Sequence, residues 1–260
     1  MWLGSSGMMK LPISLVIITL NEENNIERCV RSAAFCSEVL VVDSESKDRT
    51  CEIAQSLGAR VLQKSWLGFG PQKRWASSQV QNDWILSLDA DEALSPELAE
   101  EIQKRFSEFQ AETAYEMPRK SFHLGRWIEH GGWYPDYQSR LYNRKFSNWP
   151  ESQIHERIEA AKVERLNSPI LHYVFQNLSH QVRTNDRYSG LLAEKDVASG
   201  KRFSMVKLVF KPFSKFFECY FLKLGFLDGL PGFLIAISAA YSMFLRWAKI
   251  WEVQKRKENR

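Results

Sequence analysis

This sequence predicts an α/β fold built on a mostly parallel sheet, followed by a helical C-terminal segment. Two observations carry that expectation. Apolar, β-branched runs alternate with helix-spaced apolar residues through the first half of the chain. Residues 201–260 then change character, mixing bulky apolar side chains with twelve Lys and Arg against four Asp and Glu.

The elements follow in order. Ile13 to Thr19 is a nearly unbroken apolar run, the signature of a strand buried on both faces. Ile26, Cys29, Val30 and Ala33 have the i, i+3, i+4, i+7 spacing of a helix. Val39 to Val42 reads as a second buried strand. A helix from about Asp48 to Leu57 ends at Gly58, where a left-handed cap is favoured. Ala59 to Leu62 is a third strand, and Pro71 to Gln79 a third helix. Trp84 to Leu88 is a fourth strand that runs directly into Asp89. Ser95-Pro96 supplies an N-cap and a first-turn proline for the next helix, whose buried side is Leu98, Ile102 and Phe106. Residues 115–175 mix short strands with Gly, Pro and Trp loops, and 178–199 is helical.

Alternating strands and helices imply a parallel sheet with right-handed crossovers. Ligands of such sheets sit beyond the C-terminal ends of the strands. The polar residues at those ends are Thr19, Asn21 and Glu22, then Asp43, then Asp89 and Asp91, and all should open onto one rim. No G-x-G-x-x-G follows the first strand and no Walker-type loop is present, which argues against a dinucleotide fold and a P-loop fold.

The chain has 260 residues, is 44% hydrophobic and 25% charged, and carries a net charge of +4. That is ordinary for a globular protein. The four cysteines form no C-x-x-C pair, so buried free thiols in a reducing compartment are expected. The N-terminus lacks a long apolar run after a basic region, which predicts a cytoplasmic chain without a signal peptide.

Asp89-Ala90-Asp91 holds two carboxylates one small residue apart. Such a pair can share a divalent cation that also bridges phosphate oxygens. Alone, the tripeptide serves equally well as an acidic turn, and its place after the fourth strand favours the metal. Asn21 and Glu22 could instead cap the next helix, Asp43 and Asp48 could be turn residues, and Lys73 could lie on a solvated face.

Four segments, ISLVIITLNEENNIERCV, EVLVVDSESKDRT, GFGPQKRWA and WILSLDADE, resemble glycosyltransferase family 2 in order and spacing. The likeness continues through GGWYPDYQSRLYNR, QIHERIE and GFLDGLPGFLIAISAAYSMFLRWAKIWE, where it is similar to bacterial lipopolysaccharide inner-core β-glucosyltransferases. The resemblance implies a GT-A, Rossmann-like fold and inverting transfer of a hexose, with glucose the expected sugar, from a UDP-sugar to a lipopolysaccharide core or related glycolipid. It implies Mg²⁺ or Mn²⁺ as cofactor. Thr19, Asn21 and Glu22 would line the nucleotide pocket, Asp43 would accept from the base, and Gln72 and Lys73 would lie near the nucleotide. Asp89 would contact ribose or metal, and Asp91 would ligate the metal. Asp136 would be the base, in a loop where the family more often has Glu-Asp and this chain has Pro135-Asp136. His155 would complete the metal shell and Glu156 would orient it or serve as base. Trp127, Trp133 and Tyr134 would either stack on sugar or pack in the core.

The domain boundaries expected are 11–200 for the transferase domain, with a nucleotide-binding half at 11–114 and an acceptor half at 115–200, then 201–260. Phe233 to Leu245 is an uncharged run of about 20 Å as a helix, short of a bilayer core of about 30 Å. Arg246, Lys249, Lys255, Arg256, Lys257, Trp247 and Trp251 flank its end, which favours an interfacial helix on the anionic inner face of the cytoplasmic membrane. Packing on protein is the other reading. Nucleic acid is not expected as a partner. Two other functions stay open: a nucleotidyltransferase, although TLNEENN is not its Gly-rich basic loop, and a non-catalytic membrane-bound scaffold.

Overall fold

In the computed structural model, residues 10–151 and 157–258 are described. These fall in two compact units, one of residues 10–119, 136–151 and 157–172, the other of 120–135 and 173–258.

The first unit is built on the four predicted strands, β1 (Leu11–Thr19), β2 (Cys36–Asp43), β3 (Arg60–Gln63) and β4 (Trp84–Asp89), which pair in parallel in the order β3-β2-β1-β4. Between them run α1 (Ile26–Ser32), α2 (Thr50–Ser56) and α3 (Phe69–Ser78). Side chains alternate across a strand, and β1 uses both faces. Its Ile13, Leu15 and Ile17 pack with Cys29 of α1 and Ala54 of α2, while Val16 and Ile18 pack with Ala76 of α3. That two-sided burial is why β1 reads as a continuous apolar run.

β5 (Glu92–Leu94) and α4 (Pro96–Arg105) follow, and Ser95 caps α4 by accepting from the Leu98 amide at 3.1 Å. The sheet then turns mixed. β6 (Thr113–His123) and β8 (Asp136–Asn143) are antiparallel to each other, and β8 is antiparallel to β4. β7 (Arg126–Trp127) pairs with the end of β6, β9 (Lys162–Arg165) runs parallel to β6, and β10 (Ile170–His172) runs antiparallel to β5. The register sets Thr19 beside Asp43, Ile18 beside Asp89 and Glu92 beside His172. The strand ends therefore share one rim, as expected.

The second unit holds α5 (Leu178–Ala198), α6 (Met205–Phe217) and α7 (Gly229–Glu258). Here the sequence reading is revised: the helix is not confined to Phe233–Leu245. α7 starts at Gly229, so Pro231 falls in its first turn, where a missing amide does no harm. The helix is 30 residues long, and residues 225–257 are apolar and long enough to cross a membrane by those two criteria. Its packing opposes a spanning role. Its Lys249 binds Asp186 at 2.7 Å, its Arg246 binds Asp196 at 2.7 Å and its Ser238 accepts from Asn185 at 2.6 Å, the three partners all on α5. A helix as polar as α5 has no place in hydrocarbon.

Candidate active site

Two loops form one side of the rim, and their own hydrogen bonds shape them. Asn21 sits at φ 55°, a conformation Asn tolerates better than most residues. Its amide donates to Ser46 Oγ at 2.8 Å, and its side-chain oxygen accepts from the Lys47 amide at 2.7 Å. The Glu22 and Glu23 amides donate to Thr50 Oγ1 and Asp48. Asp48 thus works as a turn residue. Asp43 is fully buried and accepts from the Ser46 amide at 2.9 Å and from the Ser46 hydroxyl. Beside it, the buried Thr19 hydroxyl has no hydrogen-bond partner among the described residues. Glu22 is partly buried; that burial, with the charges of Asp91 and Asp48 against a hydrogen bond from Asn25, pushes its carboxyl up to about 7.

Gln72 is fully buried. Its amide donates to Ser44 Oγ and the Lys64 carbonyl and accepts from the Leu67 amide, so its groups fasten the chain to itself. Lys73 is also buried, and its ammonium binds Asp89 at 2.6 Å and lies 4.6 Å from the Trp149 ring centre. Burial, followed by the charge of Arg140, lowers its pKa.

Asp89 is the hub of a buried ionic network. One of its oxygens meets Lys73 and the other meets Arg140 at 2.8 Å. Burial opposes its charge, but Lys73 and then Arg140 overcome that and hold the carboxyl well below the usual carboxylate range. Glu92, with no side-chain exposure, accepts from Arg140 at 2.7 and 2.9 Å, from Arg119 at 3.2 Å and from the Asp89 amide at 3.1 Å. Arg119 continues to Asp136 at 2.6 and 3.0 Å, and Gln138 donates to the other Asp136 oxygen at 2.9 Å. Asp136 keeps 40% of its side chain open to solvent.

Asp91 is differently placed. Its carboxylate lies 3.3 Å from Nε2 of His172, which comes from β10. A carboxylate and an imidazole are suitable donors for a divalent cation, which commonly takes few protein ligands and fills its shell with phosphate oxygens and water. Asp91 and His172 fit that role. Asp89 is placed differently, with one oxygen on Lys73 and the other on Arg140. Among the described residues no set of three His, Cys, Asp or Glu groups could hold a metal. His155 and Glu156 lie outside the described residues.

The site thus brings Thr19, Asn21, Glu22, Asp43, Gln72, Lys73, Asp89, Asp91 and Asp136 into one unit. Sequence reasoning missed His172, Glu92 and Arg119, and gave Arg140 no role. The pairing of Glu92 with His172 across β5 and β10 joins segments far apart in the chain, and the only local signal was a His in a short apolar stretch.

Residues 14–165 match the family described as Glycosyl transferase family 2. The chain belongs to this family. It is a glycosyltransferase, and the family match covers most of β1, β2 to β9, both rim loops and the ionic network, and stops short of β10. It is similar to an uncharacterized glycosyltransferase of Rickettsia bellii (strain RML369-C), 35% identical over 95% of this chain and 89% of the relative. It is also similar to the lipopolysaccharide core biosynthesis glycosyltransferase LpsC of Rhizobium meliloti (strain 1021), 31% identical over 94% of this chain and 93% of LpsC. Among solved structures, S. aureus TarS 1-349 in complex with UDP-GlcNAc is 14% identical with a TM-score of 0.48, covering 95% of this chain and 92% of that one.

Proposed function

We propose that this family-2 glycosyltransferase moves a hexose, glucose first among the candidates, from a UDP-sugar to a lipopolysaccharide core or related envelope glycolipid, with inversion at the anomeric carbon. The observation that carries the reading is the division of labour between two carboxylates two residues apart. Asp89 is paired with two cations, Lys73 and Arg140, while the equally exposed Asp91 lies beside the His172 ring on the same rim. The near full-length likeness to LpsC supports the acceptor class.

Asp43 accepts from the base, since a carboxylate is a pure acceptor and uracil N3–H a donor. The unpaired Thr19 hydroxyl beside it offers a further bond to the nucleoside. Asp91 and His172 would hold Mg²⁺ or Mn²⁺. Such an ion, when bound, neutralises charge on the departing diphosphate. Lys73 and Arg140 hold Asp89 in place. Asp136 takes the proton from the acceptor hydroxyl as its oxygen bonds to the anomeric carbon. The bond from that carbon to the diphosphate breaks on the opposite face, and nucleoside diphosphate leaves. Arg119 fixes Asp136, and the half-open side chain leaves room for an acceptor. The chain works at the inner face of the cytoplasmic membrane, where such glycolipids are held.

The test is a donor panel with purified full-length protein, a core glycolipid acceptor, and Mn²⁺ or chelator. Transfer from a UDP-hexose with release of UDP is expected. Release of pyrophosphate would instead make the protein a nucleotidyltransferase, and binding of no nucleotide sugar would make it a scaffold.

A further inference from the structure

α6 carries no acidic residue and none of its side chains is buried. Lys207, Lys211 and Lys215 recur every four residues and form one stripe along it. The neighbouring arc holds Val206, Phe210, Phe213 and Phe217, with Phe210 65% and Phe213 72% exposed. The apolar surface continues past the end of the helix through Leu222 and Leu230, 69% and 68% exposed. Between α6 and α7 lies an open groove of about 460 Å³, walled by Leu208, Pro212, Ile237 and Phe244 among others, with no charged side chain in its walls. Exposed apolar area on this scale marks an interaction surface.

The occupant follows from charge. Two copies meeting through this face would bring two lysine stripes together, whereas an anionic headgroup layer complements them. Glu218 is the one acid near the end of the stripe, and it is shared by Lys215 at 3.1 Å and Lys223 at 2.5 Å. At 13 residues α6 is about 20 Å long, enough to lie in an interface and too short to cross it. The C-terminal end of α7 is otherwise engaged: Arg246 and Lys249 are ion-paired to α5, and Trp247 and Ile250 are buried against it.

We propose that α6 and the turn that follows it are the membrane-docking face, with Phe210, Phe213 and Phe217 among the acyl chains and the lysine stripe at the headgroups of anionic phospholipid. This rests on the membrane-side reading above and moves the contact from the end of α7, where the sequence put it, to α6.

Full-length protein is sedimented with vesicles of phosphatidylcholine plus phosphatidylglycerol, and with phosphatidylcholine alone. The wild type should bind the mixed vesicles, less so at high salt. Phe210→Ser with Phe213→Ser should lower partitioning by about tenfold or more. Lys207→Gln and Lys211→Gln should each lower it roughly fivefold. Lys255→Gln with Arg256→Gln should leave it unchanged. Hydrogen exchange on the wild type should show vesicle protection over 205–230, which needs no variant to fold. If the Phe pair binds like wild type while the Lys255 and Arg256 pair fails, the face is wrong and the membrane reading stands. If the wild type binds neither vesicle and the Phe pair turns a dimer into a monomer, the face joins two copies and the membrane reading falls with it.

Discussion

Asp89 and Asp91 have the same chemistry and different neighbours. Asp89 is gripped by Lys73 and Arg140, so its charge is spent on holding the end of β4 in place. Glu92 supports the same arginine from the other side. Removing one partner of a buried ionic set leaves the others uncompensated, typically at about 3–5 kcal/mol. Glu92→Gln should therefore lower stability to urea by that amount. Asp136→Asn should behave in the opposite way. Its side chain is 40% exposed and its pair with Arg119 is partly screened, so stability should change by no more than about 1 kcal/mol. Transfer should nevertheless fall roughly 10²–10⁴-fold, the usual contribution of a positioned base. A variant that keeps full transfer would move the base role elsewhere. None of this network was legible as a unit. Glu92 lies 27 residues from Arg119 and 48 from Arg140, and no local pattern links them.

At the scale of elements, the four parallel strands were legible because two-sided burial writes a continuous apolar run. β5 and β10 have three residues each, too few to show a period, and with them went the partner of Asp91. The basic residues late in α7 illustrate another limit. They read as lipid contacts, yet Arg246 closes on Asp196 of α5 at 2.7 and 2.8 Å. Hydrogen bonding from Arg246, helped by Lys201 and opposed by burial, holds the Asp196 carboxyl below its ordinary value of 3.8. A depressed acid stabilises the fold above its unfolded pKa and loses that contribution as pH falls through the folded one. Asp196→Asn should thus cost about 2 kcal/mol at pH 7 in urea unfolding. The gap from wild type should shrink below about pH 4, near the unfolded Asp value. An equal gap at both pH values would show that packing, not charge, makes the contact.

Across the whole molecule, composition foretold an uneven charge, with residues 201–260 strongly basic. The structure assigns those cations to two tasks. Some fasten α7 to α5, while the stripe on α6 stays at the surface beside bare phenylalanines. Fold class and family were legible because four linked segments report one sheet and one rim. Of the Asp91–His172 pair, only Asp91 was legible in the sequence. The central claim is that Asp91 at that rim serves the departing diphosphate, and the most direct measurement is UDP-hexose transfer to a core glycolipid by wild type and Asp91→Ala over a Mn²⁺ titration. The account predicts metal-dependent transfer by the wild type and a loss of about 10²–10³-fold in the variant, with unchanged unfolding. Undiminished transfer by Asp91→Ala, or by wild type in excess chelator, would contradict it.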